Sequence, residues 1–114
     1  MHELSIAQRI VEIAGEEASR HEGGRVQAVH LRLGPLSGVV ADSLLFAWNF
    51  ACEETPLQGA SLEIEAVPVR VRCRSCRAES EAGSEYDLRC PSCGSTATEA
   101  VAGRELEITS LEVE

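Results

Sequence analysis

Two Cys-x2-Cys pairs, Cys73-Arg74-Ser75-Cys76 and Cys90-Pro91-Ser92-Cys93, constrain this chain more than any other feature. A C-x2-C turn can aim both sulfurs at one point, and two such turns facing each other make a tetrahedral thiolate cage. Closed-shell Zn2+ suits that cage, with Zn–S bonds of about 2.3 Å. The spacer, residues 77–89, is slightly shorter than usual for this pattern but leaves room for a short hairpin. Gly94 follows the second pair, where a positive φ helps point backbone N–H groups at sulfur. Arg77 holds the matching place after the first pair, a less favourable residue for that turn. Four thiolates leave no open coordination position, so the expected zinc is structural. Disulfides would need an oxidising compartment, and no signal-peptide pattern opens the sequence. A thioredoxin-like redox motif normally comes singly, at a strand–helix junction.

Charge is unevenly placed. All ten basic residues are arginine. Residues 70–102 balance five arginines against five acids, so the net charge of -9 falls on the rest of the chain. A nucleic-acid binder presents a basic face that neutralises phosphates. Here the only basic cluster, residues 70–77, is diluted by nearby acids, so no nucleic-acid partner is expected. No apolar run is long enough to span a membrane. Five cysteines without a signal sequence predict a cytoplasmic protein.

The chain opens Met1-His2-Glu3 and enters a helical pattern. Leu4, Ala7, Val11, Ala14 and Ala18 form one stripe, widened by Ile6, Ile10 and Ile13. Ser5-x-x-Gln8 has the form of a capping box, with a start one or two residues earlier as the alternative; Arg20 and His21 sit in the expected last turn, and Gly23-Gly24 stops the helix. Residues 25–33 read as a strand with Val29, Leu31 and Leu33 on one face, ended by Gly34-Pro35. A second helix spans residues 41–53, with Leu44, Trp48, Ala51 and Cys52 on its apolar stripe and Thr55-Pro56 closing it. Trp48 and Phe50 read as core or interface residues.

Residues 61–72 read as one long strand whose pattern changes phase at Pro68. Leu62, Ile64 and Ala66 share one face; Val67, Val69 and Val71 share the other. A one-residue slip flips every side chain, so the strand either bulges or leaves one core for another. Tyr86 and Leu88 are the expected cover of a small zinc-side core. A last strand covers residues 105–113, again with a phase change. The predicted fold class is α+β: two helices on a three-stranded sheet, with a small zinc-ribbon-like four-cysteine domain inserted before the last strand. The predicted domains are residues 1–69 plus 103–114 and residues 70–102.

Three histidines remain. His21 reads as a charge complement at a helix C-terminus, and His30 as a strand residue on the more polar face. His2 differs in its place. A terminal amine next to a histidine offers amine, amide and imidazole nitrogens together, a set that suits tetragonal Ni2+ or Cu2+ better than Zn2+. Lone Cys52 reads as a small core residue.

Taken together, the Met1-His2-Glu3-Leu4-Ser5 opening, the helix with Ile10 and Ile13, the Arg32-Leu33-Gly34 strand end and the C-x2-C…C-P-x-C-G pattern over residues 73–94 resemble the HypA/HybF family. These are nickel metallochaperones of hydrogenase maturation, and the resemblance covers essentially the whole chain. It implies a protein that is not an enzyme. It implies a nickel site made of the Met1 amine, the His2 amide and imidazole and the Glu3 amide, and zinc on Cys73, Cys76, Cys90 and Cys93. It implies as partners a GTPase of hydrogenase maturation and the [NiFe]-hydrogenase large subunit, and in some bacteria urease maturation proteins. A monomer and a homodimer both fit the sequence. Two rival functions are a zinc-ribbon adaptor that binds protein or nucleic acid, and a thiol–disulfide enzyme. No Ser/His/Asp set, phosphate loop or open catalytic metal site is visible.

Overall fold

The computed structural model describes residues 3–21 and 24–114. The order of elements is α1 (Glu3–Ala18), β1 (Val26–Leu33), a 3-10 turn (Pro35–Ser37), α2 (Ala41–Cys52), β2 (Ser61–Ala66), β3 (Arg70–Cys73), β4 (Glu79–Glu81), β5 (Thr98–Ala102) and β6 (Leu106–Val113). Two sheets result, ordered β2-β1-β6 and β4-β3-β5. The chain separates into two compact units. One holds residues 1–32, 39–65 and 107–114; the other holds residues 33–38 and 66–106.

In the first unit α1 packs on α2 and both helices spend their small and aliphatic residues on burial. Ala7, Ile10, Val11, Ala14 and Ala18 are buried on α1; Leu44, Ala47, Trp48, Ala51 and Cys52 are buried on α2. Leu31, Leu44 and Leu57 are sealed from solvent. Each such leucine stabilises the fold by about 1.5–3 kcal/mol relative to exposure. Trp48 buries its ring and still satisfies its donor: the indole Nε1–H donates to the Ala60 carbonyl at 2.9 Å.

The helix ends differ from the sequence pattern. α1 is described from Glu3, so Ser5 lies inside the first turn and the earlier of the two starts holds. It ends at Ala18. Arg20 and His21 lie beyond, in a tightened turn where their N–H groups bond the carbonyls of Glu17 and Ala18. Leu4 (45% exposed) and Ile13 (39% exposed) fall off the buried stripe. Of the stopping pair Gly23-Gly24, Gly23 lies outside the described residues.

The phase change at Pro68 is a change of sheet. The long strand is two strands, β2 and β3, and they belong to different sheets. In the second unit β3 pairs antiparallel with β4, placing Arg70 opposite Glu81 and Arg72 opposite Glu79. It pairs antiparallel with β5 on its other side, placing Arg72 opposite Glu99 and Cys73 opposite Thr98, with a bulge between Arg70 and Val71. Residues 33–38, which the sequence pattern puts with the helices, are tied here instead. Gly34 N–H donates to the Glu105 carbonyl at 2.8 Å, Leu36 N–H to the Gly103 carbonyl at 2.7 Å, and Val67 N–H to the Leu33 carbonyl at 2.9 Å.

Tyr86 does not cover a core: it is 90% exposed. Leu88 is half-buried, and its carbonyl accepts the Thr98 hydroxyl at 2.6 Å. Across residues 74–102 the one buried side chain is Cys90. The unit's other buried side chains are few, Val67, Val69, Val71 and Cys73 among them, and a lobe with so small an apolar interior needs a staple.

Candidate metal centre

The staple is the cysteine cluster. Sγ atoms of Cys73, Cys76, Cys90 and Cys93 all lie within 4.8 Å of one another. The Cys73–Cys93 and Cys76–Cys90 sulfurs are each 3.6 Å apart. Four sulfurs at about 2.3 Å from one cation would be separated by about 3.8 Å along the edges of a tetrahedron. The donor set and its spacing therefore fit Zn2+.

Each knuckle is built the same way. Cys73 begins the first turn at the end of β3, and Arg77 N–H closes it on the Cys73 carbonyl at 2.9 Å. In the second turn Gly94 N–H donates to the Cys90 carbonyl at 2.8 Å. Both closing residues are left-handed, Arg77 at φ 64° and Gly94 at φ 76°. The sequence marks Gly94 for that role; Arg77 adopts it despite its side chain. Within the turns, N–H groups then face sulfur. Cys76 N–H reaches the Cys73 sulfur at 3.4 Å.

Without a cation between them these thiols lose protons unequally. The backbone N–H of Cys76 brings Cys73 down to about 6. That of Cys93 lowers Cys90. The Ser95 N–H lowers Cys93, but its bond to Cys73, burial and the other two sulfurs outweigh it and push the thiol up to about 12. Cys76 is raised in the same way, with the Ala78 N–H outweighed by Cys90, burial and Cys73. The first sulfur of each knuckle is thus the more acidic of its pair, and the second resists ionising beside it. A dication removes that conflict.

Around the cage three of the four arginines in the basic strip are paired with acids. Glu79 lies 3.6 Å from Arg70 and 3.4 Å from Arg72; Glu99 lies 3.6 Å from Arg72 and 3.5 Å from Arg74. Cross-strand register puts those acids there. Arg89 clamps Asp87 through Nε at 2.9 Å and a second guanidinium nitrogen at 3.0 Å. These contacts hold Asp87 down to about 2.

Met1 and His2 lie outside the described residues. Glu3 is the first residue of α1, and its carboxylate accepts the Val40 N–H at 3.5 Å, at the start of α2. The site expected at residues 1–3 is thus represented by Glu3 alone. His30 is half-buried on β1 and its Nε2 meets Glu112 Oε2 at 2.6 Å. His21 lies 3.7 Å from Glu17 on the α1 exit. Cys52 is buried far along the chain from the cage, and burial pushes its thiol up to about 11. Among the described residues, no helix is long and apolar enough to cross a membrane.

Comparison with known proteins supplies the family. A sequence model described as "Hydrogenase/urease nickel incorporation, metallochaperone, hypA" matches residues 1–113. A hydrogenase maturation factor HypA of Roseiflexus sp. is 49% identical over 114 residues, covering 100% of this chain and 93% of that protein. One of Chloroflexus aurantiacus is 51% identical over 112 residues, covering 98% of each. The solution structure of the Ni metallochaperone HypA from Helicobacter pylori shares the fold at TM-score 0.66 and 22% identity, over 98% of this chain and 97% of that one. A second HypA solution structure matches at TM-score 0.73 and 23% identity, over 100% of this chain and 97% of that one. The family's role is insertion of nickel, not catalysis of a reaction. On the whole-length match and the close curated relatives, the chain belongs to the HypA family of hydrogenase and urease nickel-incorporation metallochaperones.

Proposed function

We propose that this chain carries Ni(II) on the Met1 amine, the His2 amide and imidazole and the Glu3 amide, and releases it for [NiFe]-hydrogenase maturation. Zn2+ on Cys73, Cys76, Cys90 and Cys93 holds the second unit folded. The observation that carries this reading is the family match, which begins at residue 1 and so includes the Met1-His2-Glu3 opening.

The physical chemistry supports it in three ways. The two donor sets differ in kind: soft sulfur in a cage suits zinc, and nitrogens in a plane suit Ni2+. The cage commits all of its sulfurs to one ion, which argues against transfer from it. The first N–H groups of an α-helix have no partner within the helix, so the Glu3 amide at the head of α1 is free of the helical ladder. Amide and amine nitrogens bind metal only after losing protons, so acid loosens the nickel site. That gives a carrier a route to release. The proposed recipients are the GTPase of hydrogenase maturation, the hydrogenase large subunit and, where present, urease maturation proteins.

The test is calorimetric titration of Ni2+ into zinc-loaded protein with an untagged N-terminus. It is repeated with one residue added before Met1 and with His2→Ala. Both changes are expected to abolish the tight nickel site and leave zinc in place. Unchanged nickel affinity in the extended protein would remove the terminal amine from the site; unchanged affinity in His2→Ala would remove His2.

A further inference from the structure

The outward side of α2 carries an apolar surface that the nickel and zinc sites do not use. Phe46 is 78% exposed and Phe50 is 62% exposed, and their ring centroids are 6.4 Å apart. Asp42, Phe46 and Phe50 succeed one another at four-residue spacing, so they form one row along the helix, with exposed Glu53 three residues on. Two neighbouring water-exposed phenylalanines make an apolar patch of the kind that marks interaction sites, and aromatic side chains are the common anchors of protein interfaces.

The row runs into a groove. A cavity of about 670 Å³ opens between α1 and the end of α2, lined by Val11, Gly15, Phe50 and Pro56. Glu12, Glu16 and Glu53 also line it. Glu12 pairs with Arg9 at 3.0 Å; among the described residues Glu16 and Glu53 make no such pair. Phe50 belongs to both the row and the groove, so the two form one continuous apolar surface bordered by carboxylates.

We propose that this surface receives a basic amphipathic helix of a partner protein. The occupant's apolar side chains would pack on Phe46 and Phe50 and fill the groove, and its Lys or Arg side chains would meet Asp42, Glu16 and Glu53. A second copy of this chain fits worse. A two-fold contact through this face would set its own acids against one another. The overall charge of -9 opposes self-association further.

The test uses two synthetic helical peptides of equal length with the same leucine positions, one with lysines on its polar face and one with glutamates. Binding to zinc-loaded protein is followed by amide chemical shifts. The lysine peptide is expected to bind about tenfold or more tightly than the glutamate peptide, with shifts centred on Phe46, Phe50 and the groove. Phe46→Ser/Phe50→Ser is expected to lose about tenfold of that affinity with zinc content and far-ultraviolet dichroism unchanged. Glu16→Gln/Glu53→Gln is expected to narrow the lysine preference and decides the matter if the phenylalanine variant fails to fold. Equal affinity for the two peptides, or shifts away from α2, would overturn the proposal. So would dimerisation in sedimentation, or binding to phosphatidylglycerol vesicles, that the phenylalanine variant abolishes while peptide affinity stays the same. None of these readouts involves nickel, so the result is independent of the role of residues 1–3.

Discussion

Gly34 and Gly103 cross with no room for a side chain between them: a methyl group on Gly34 would overlap the Gly103 carbonyl. Gly103 itself is at φ 112°, and its N–H is held by the Glu105 carboxylate at 2.8 Å. The crossing is what brings residues 33–38 against residues 103–105, through Gly34 N–H to the Glu105 carbonyl and Leu36 N–H to the Gly103 carbonyl. Gly34→Ala forces backbone apart where no flexible side chain can give way. It should destabilise the protein by about 3 kcal/mol, read as a lower urea midpoint by circular dichroism. Gly83→Ala is the control. Nothing lies within 4 Å of a methyl there, and its effect should stay within about 0.5 kcal/mol. Equal midpoints for the two variants would mean that the crossing relaxes freely.

The sulfur cage makes a second prediction, on metal content. Cys90 is the one buried side chain in residues 74–102, so beyond Val67, Val69, Val71 and Cys73 the lobe has little apolar interior to hold it. Cys90→Ser should lower zinc from about one ion per chain to near zero by elemental mass spectrometry, with loss of the amide dispersion of residues 66–106. Cys52→Ala removes a thiol from the other unit and should keep its zinc. Zinc retained in Cys90→Ser, with a folded lobe, would remove the cage as the site.

Some of this was legible from residue spacing alone, and the limits are physical. The cage was, because C-x2-C turns need only local geometry to aim their sulfurs. So was the departure at Pro68, where a change of phase among valines recorded a change of sheet between β2 and β3. The strands β4 and β5 were not, because their exposed and half-buried residues leave no clean alternation to read. Tyr86 looked like a lid because aromatics usually bury, yet the lobe folds around sulfur and offers it no core. The stripe of α2 was legible too: Leu44, Trp48, Ala51 and Cys52 are buried, which leaves Phe46 and Phe50 on the outward side. The nickel site expected at Met1, His2 and Glu3 rests on the family resemblance rather than on spacing. Met1 and His2 lie outside the described residues, and Glu3 is the first residue of α1.

The arginine strip makes a third prediction. Arg70, Arg72 and Arg74 are bracketed by Glu79 and Glu99 at 3.4 to 3.6 Å, so most of their charge is offset within the sheet. The wild-type protein should show no salt-dependent binding to duplex or single-stranded DNA in a fluorescence anisotropy titration. Glu79→Gln/Glu99→Gln frees the three cations and should create weak binding that fades as salt rises, since phosphate contacts release counterions. A steep salt slope already present in the wild type would favour a nucleic-acid adaptor over a metal carrier.

Cys52 supplies the pH dependence. It is 2% exposed on α2, and burial pushes its thiol from 9.0 up to about 11. The unfolded chain therefore gives up this proton first as pH rises, so the thiol contributes no pH dependence well below 9. Between about 9 and 11 it lowers the stability of the folded state. Two measurements check this. At pH 9 Cys52 should alkylate with iodoacetamide far more slowly than a free thiol of ordinary pKa, because it is both protonated and shielded. The fall in urea midpoint between pH 9 and pH 11 should be shallower in Cys52→Ala than in the wild type, although the variant is less stable at neutral pH through the lost packing. Identical slopes in the two proteins would show that the alkaline loss comes from elsewhere, such as the sulfur cage or the surface arginines.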